Sequence, residues 1–539
     1  NATESEGHST LTALDKLDGG AGEDTLNIVQ TAAVDTTAAG ATVTSMEKVN
    51  ITSGGAVKTD TTTWGTKALN IAATGAVDAT VADTTDVTAT TSGANTTTIL
   101  GGKAVSVTGG TGATSITGDG LTTVSVKGGG AVTIDNTLNA VSSTGTTMTS
   151  VILDGVDANS EIKGQGLTDV TVKGVTTAAR TVEITNTKAD HALTVNVDGN
   201  GDDASGTAQQ TIVKDANATA ITVNASGDKS SLALTGSTAA TSLNITGDAA
   251  LTLKASDLTA LTTIDGSAAT GDLNLGTLNA TTVNVNTGSG DDTFSIMATA
   301  KVAVDAGAGD DTVTLGAAIA VGSTIKMGEG DDTIKVDTAP LTTEVGSIDG
   351  GAGDNDKLIF TDTTYVTDLA HGAVFTGFEV LELSASTDKI FDTSLIAGIK
   401  SYGVGTSSAN VTLSNILNNA TTTVTGNVAD EMTVALAVDT QNDTHTVVFD
   451  NGSSTAAAGV GLGGSAGGGL TVNLIEHLNF VSDGNANSAN TIASLNADAY
   501  LKDITITGDQ DFTIAKLANA VTTELTINGS AATGKLTID

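Results

Sequence analysis

The sequence predicts an all-β fold, a parallel β-solenoid of stacked coils, and three observations predict it. Apolar–polar–apolar triplets recur about every 8–12 residues between Gly, Asp, Asn and Thr. Aromatic residues make up 2% of the 539-residue chain, too few for the thick core of a globular enzyme. Four glycine- and aspartate-rich turns return at nearly constant distance between Gly288 and Asp356.

The triplets begin at Val49–Ile51 and Leu69–Ile71. They continue through Val105–Val107, Val124–Val126, Val132–Ile134, Val170–Val172, Val182–Ile184, Leu193–Val195, Leu243–Ile245 and Leu251–Leu253. Small and β-branched apolar residues suit a thin core to which each coil adds a few aliphatic side chains. Helical patterning is scarce: residues 256–261 and Asp511–Val521 allow at most a turn or a short helix.

The turns read Gly288-Ser289-Gly290-Asp291-Asp292, Gly307-Ala308-Gly309-Asp310-Asp311, Gly328-Glu329-Gly330-Asp331-Asp332 and Gly350-Gly351-Ala352-Gly353-Asp354. Glycine permits the positive φ that aims carbonyl oxygens inward, and aspartate adds a carboxylate. After the first three, Thr and then Phe294, Val313 or Ile334 start a buried strand. Oxygen-only donors suit a hard cation, Ca²⁺ before others. Gly290, Gly309, Gly330 and Gly353 are 19, 21 and 23 residues apart. That is about one coil, so the turns are expected to stack on one edge with ions between them.

Charge points the same way. The chain carries 61 acidic against 22 basic residues, a formal −39. Such a surface repels nucleic acid and anionic membrane, and about 20 divalent ions would neutralise it. Cysteine is absent, which excludes disulfides and thiolate zinc sites. No apolar run is long enough to span a membrane. The chain starts at Asn1 with no signal-peptide pattern, and is expected to be a fragment or a processed form.

Internal repeats organise the rest. Leu17-Asp18-Gly19-Gly20-Ala21-Gly22 recurs as Ile348-Asp349-Gly350-Gly351-Ala352-Gly353, and each is followed about 28 residues later by a Glu-bearing strand, Met46–Ile51 or Phe378–Leu383. Ile475–Phe480 is a third strand of that kind. Gly266-Ser267-Ala268-Ala269-Thr270-Gly271 recurs identically at Gly529–Gly534. The chain therefore runs one programme twice. Three segments are expected: a first solenoid over 1–287, a calcium block over 288–357 and a second solenoid over 358–539. A further calcium block is expected beyond Asp539.

Other constellations are weaker. Asp198–Asp203, with Asp202 as its candidate ligand, has oxygen donors but no strand after it. Gly118-Asp119-Gly120, Gly247-Asp248 and Gly508-Asp509 read as strand-ending turns. Glu47, Glu379 and Glu476 stand at the same point of three apolar strands, where a carboxylate is either a ligand or a residue pointing to solvent from a pleated face, the second reading being preferred. Gly463–Gly467 matches a hydrolase nucleophile string without its strand and helix, and the five histidines lack zinc spacing and read as surface residues. No paired carboxylates sit in an aromatic cleft. No enzyme activity is expected.

The Gly-Gly-x-Gly-x-Asp turns resemble the repeats-in-toxin calcium modules of bacterial proteins exported by type I secretion. The wider Thr/Ala/Gly-rich pattern, with Gly19–Gly22 followed by Asp24 and Leu26 and with its Ile-Thr-Gly-Asp segments, resembles the calcium-dependent surface-layer proteins of the Caulobacter type. This resemblance implies a right-handed solenoid with β-roll turns, several bound Ca²⁺ ions and a two-dimensional lattice of identical chains on the cell exterior. It implies ligands at Asp24, Asp292, Asp311 and Asp332, with Asp291, Asp310 and Asp331 as second ligands. The glycines around them are Gly20, Gly22, Gly288, Gly290, Gly307, Gly309, Gly328, Gly330, Gly351 and Gly353. One extra residue after Gly353 leaves open whether Asp354 or Asp356 ligates. Anchoring to a surface polysaccharide is implied for a region not recognisable in this sequence. The second reading is a segment of a type I-secreted calcium-dependent adhesin or biofilm-matrix protein.

Overall fold

A computed structural model describes residues 2–3, 11, 14–137, 145–175, 179–201, 211–278, 284–297, 301–316, 320, 322–337, 346–361, 366–384, 386–450, 459–463, 468–484, 488–519 and 524–539. The chain divides into two compact units, 1–282 and 283–539. Both are parallel β-solenoids. Helix among the described residues is confined to Thr36–Ala39, Leu369–Gly372 and the single 3-10 turns Ala255–Asp257 and Thr393–Leu395.

In the first unit each coil gives one strand to each of two parallel sheets. Strand follows strand in register: Val87 of Asp86–Thr90 pairs Val105 of Ala104–Thr108, which pairs Val124 of Thr123–Lys127. The column runs on through Val151, Val170, Val195, Val223 and Ile245. In the facing sheet Ile99, Ile116, Ile134, Ile162 and Ile184 form the matching column. Side chains alternate across a pleated strand, so Val105 and Val107 enter the core while Ser106 and Thr108 do not. Coil length varies freely, from Val87 to Val105 at one step and from Val195 to Val223 at another, because extra residues go into the turns.

The second unit begins the same way, with Ala303–Ala308 pairing Thr324–Glu329 in one sheet and Thr312–Leu315 pairing Thr333–Val336 in the other. Later coils gain further sheets, one through Lys389–Asp392, Val411–Ile416 and Met432–Leu436, another through Asn490–Ile492, Phe512–Ile514 and Leu536–Ile538. The wider coil needs more filling. All eight phenylalanines of the chain lie in this unit. Each has its side chain fully buried. Phe449, Phe480 and Phe512 form a triangle with centroids 6.2, 5.2 and 5.3 Å apart, and Phe360 packs on Phe375 at 5.4 Å and Phe391 at 5.6 Å. Aromatic edges and faces add to the area they bury.

One sequence expectation is corrected here. Asp511–Val521 holds two strands, Phe512–Ile514 and Leu517–Asn519, where a turn or short helix was expected. Their partners Asn490–Ile492 and Leu495–Ala497 offer ready-made edges, and pairing with them overrides a weak local preference. Truncating Phe480 to alanine is expected to destabilise the second unit by about 3–5 kcal/mol, read by denaturant unfolding.

Candidate metal centre

Glycine sets the geometry of the stacked turns. Gly288, Gly290, Gly307, Gly309, Gly328 and Gly330 take φ of +99°, +127°, +108°, +124°, +116° and +133°. A Cβ on Gly307 would stand 1.9 Å from the Gly288 carbonyl oxygen, and one on Gly328 would stand 1.9 Å from that of Gly307. Only glycine fits such an approach. The turns lie directly over one another, the Gly290 N–H donating to Ala308 O at 2.8 Å, Gly309 to Glu329 O at 2.7 Å and Gly330 to Ala352 O at 3.1 Å.

Beneath the glycines runs a column of buried carboxylates. Asp292, Asp311, Asp332 and Asp356 are 0%, 1%, 0% and 0% exposed. The N–H of Asp292 donates to Asp311 Oδ1, that of Asp311 to Asp332 Oδ1 and that of Asp332 to Asp356 Oδ1, each at 2.8 Å. The second oxygens, Oδ2 of Asp311, Asp332 and Asp356, are buried and have no hydrogen-bond partner. An outer, exposed row runs alongside: Asp310 N–H donates to Asp291 Oδ1 at 2.9 Å, Asp331 to Asp310 Oδ1 at 2.9 Å and Asp354 to Asp331 Oδ1 at 3.2 Å. Asp356, not Asp354, therefore takes the rung position in the fourth turn. The extra residue is absorbed at Asp354 and Asn355, whose N–H groups both reach Asp331 Oδ1.

Burial without compensation disfavours the charged form. It pushes Asp311 up to about 8, with repulsion from Asp292, Asp332 and Asp291 adding to it, against the opposing bond from the Asp292 N–H. Asp332 is pushed up to about 6 by burial, reinforced by Asp356. Asp356 is raised by burial and then by Glu379. Carboxylate oxygens of the kind a hard cation takes are gathered at this edge, and a cation placed among them would supply the missing partner for the Oδ2 atoms of Asp311, Asp332 and Asp356.

Of the three strand glutamates, for which the sequence favours solvent over a ligand role, Glu476 is buried and Glu47 and Glu379 are half-buried, and each accepts a backbone N–H from the coil before it. Glu379 Oε2 accepts the N–H of Asp356 at 3.3 Å, Glu47 Oε2 that of Asp24 at 2.9 Å and Glu476 Oε2 that of Asp443 at 2.8 Å. The Asp24 bond holds Glu47 below the usual carboxylate range. One coil further on, the backbone N–H donated to each glutamate's carbonyl belongs to a lysine: Lys67, Lys400 and Lys502. Asp, Glu and Lys thus occupy three successive coils at three places. Their partners lie 20 to 33 residues apart in sequence, so no local pattern signals the pairing.

Asp24 sits with Gly20 at φ +82° and Gly22 at +134°, and its Oδ2 is also buried without a partner. Asp202 lies outside the described residues. Its neighbour Asn200 is fully buried, donating to Val172 O and accepting from the Val175 N–H. Gly464–Gly467 also lie outside the described residues. Two histidines correct the surface expectation. His191 is buried against Asp215 at 2.8 Å, and His445 is fully buried, bonded to Thr422 Oγ1 at 2.9 Å and held at about 4 by burial. Strand register carries both inward. The carboxylate oxygens of Asp439, Asp443 and Glu476 lie within 4.8 Å of one another beside a cleft that Lys502 also lines, but those of Asp443 are satisfied by Asn418 and Thr440.

No family model matches the chain, and no curated protein matches it. No helix among the described residues is long and apolar enough to cross a membrane.

The raised acids fix the sign of a pH effect. With a chelator present, Asp311 and Asp332 stabilise the fold as neutral acids below their ordinary 3.8, and that contribution is lost as pH rises through about 6 and about 8. Amide exchange across 288–356 in EDTA is therefore expected to accelerate between pH 5 and pH 9 beyond the intrinsic pH trend. A protection pattern flat in pH would refute the assignment.

Proposed function

We propose that this chain is a structural segment of a bacterial surface layer, a calcium-stabilised solenoid that assembles with copies of itself into a two-dimensional lattice outside the cell. The column of buried carboxylates, with the Oδ2 atoms of Asp311, Asp332 and Asp356 unpartnered, carries the reading. Four acids brought together away from water need positive charge, and no lysine or arginine enters the column among the described residues. Asp292, Asp311, Asp332 and Asp356 would hold Ca²⁺, with Asp291, Asp310, Asp331 and the glycine carbonyls beside them and with Asp24 at a separate turn. Bound calcium would couple folding to metal by replacing mutual repulsion with shared ligation.

The formal −39 extends the argument from the column to the surface. Like-charged copies repel one another until a divalent ion bridges them, so the same metal would set both folding and assembly. Export by type I secretion and a non-enzymatic role belong to this reading. The glycine–aspartate turns that resemble repeats-in-toxin modules support the export route.

Circular dichroism and light scattering with calcium and with EDTA test it. Calcium is expected to increase β signal and particle size, and EDTA to reverse both. Identical spectra and sizes would remove calcium from the mechanism. Negative-stain images separate the outcomes further, an ordered sheet supporting the lattice and isolated rods supporting an adhesin segment.

A further inference from the structure

The carboxylate column of the second unit has an end, and its chemistry changes there. Asp356 is the last aspartate, fully buried, with Oδ2 unpartnered. A Cβ on Gly353 would meet Asp356 Oδ1 at 3.0 Å and Asp331 Oδ1 at 3.1 Å, so the inner and outer rows converge under this turn. On the next coil Glu379 stands where a fifth aspartate would be. It accepts the Asp356 N–H as each aspartate accepts the one before it, and its side chain is 16% exposed. Its other oxygen faces Lys400 Nζ at 3.5 Å. Beyond Glu379 the column passes from carboxylate to ammonium.

We infer that Glu379 is the terminal ligand of this column: with Asp356 it holds a divalent cation, and Lys400 takes the place of the cation that would follow. The inference rests on the calcium reading above and adds to it a residue that the turn motif does not contain. An aspartate ladder has no intrinsic stop, since every rung leaves one oxygen for the next ion. Glutamate reaches the same N–H with one more methylene and brings its second oxygen out to the surface. There a lysine can neutralise it without a metal. The same order, Asp24, Glu47 and Lys67, recurs in the first unit, where Lys67 also bonds Glu23 at 3.2 Å.

Equilibrium dialysis with radioactive calcium on the whole chain tests this, comparing the unaltered protein with Glu379→Gln and with Asp311→Asn as a column control. Glutamine keeps a carbonyl oxygen for the Asp356 N–H, and circular dichroism in excess calcium checks that the variant folds. Glu379→Gln is expected to bind one ion fewer, or to bind one ion at least about tenfold more weakly, with the others unchanged. An unchanged ion count and affinity in Glu379→Gln, while Asp311→Asn loses an ion, would overturn the terminal-ligand role and leave Glu379 a partner of Lys400 alone. Absence of binding in the unaltered protein would instead overturn the calcium reading itself.

Discussion

Carboxylates buried side by side in a low-dielectric edge are the constraint around which the second unit is organised. Each of Asp292, Asp311 and Asp332 donates its own N–H to the acid one coil ahead. That bond fixes the spacing of the acids, but in Asp311, Asp332 and Asp356 it satisfies only one carboxylate oxygen. Mutual repulsion and lost hydration act against the fold at every rung. The glycine columns above and the apolar strands behind hold the acids together despite this cost. Protonation or a bound cation would relieve that repulsion.

The rest of the architecture is permissive by comparison. Parallel pairing joins each coil to its neighbours alone, so the units grow by repetition and tolerate turns of different length. In the first unit, valine and isoleucine columns one residue deep fill a narrow interior. In the second, extra sheets widen the coil and the phenylalanines fill the added space. Composition averaged over the chain hides this division, because the aromatic residues are concentrated rather than sparse throughout.

Much of this was legible in the sequence, and what was not has a common cause. Triplets such as Val105–Val107 and Val124–Val126 read directly as strands because alternation is a local property. The turns read directly because glycine at positive φ and aspartate after it are local as well. Glu47, Glu379 and Glu476 did not, since each finds its N–H partner a full coil earlier and looks like an outward-facing strand residue until register is known. His191 and His445 failed for the same reason. The choice between Asp354 and Asp356 is set by register between coils, because a one-residue insertion can be taken up on either side of the rung.

The two glycine files leave a narrow gap between them, occupied by Ser289, Ala308, Glu329 and Ala352. On either flank, a Cβ at Gly307, Gly309, Gly328, Gly330, Gly351 or Gly353 would stand within 2.3 Å of a carbonyl oxygen of the coil before. Substitutions arising over generations can therefore accumulate at that single site of each turn while both neighbours stay fixed. The four turns of this chain already differ at that place, with a hydroxyl, two methyls and a carboxylate, while glycine stands on both sides in all of them.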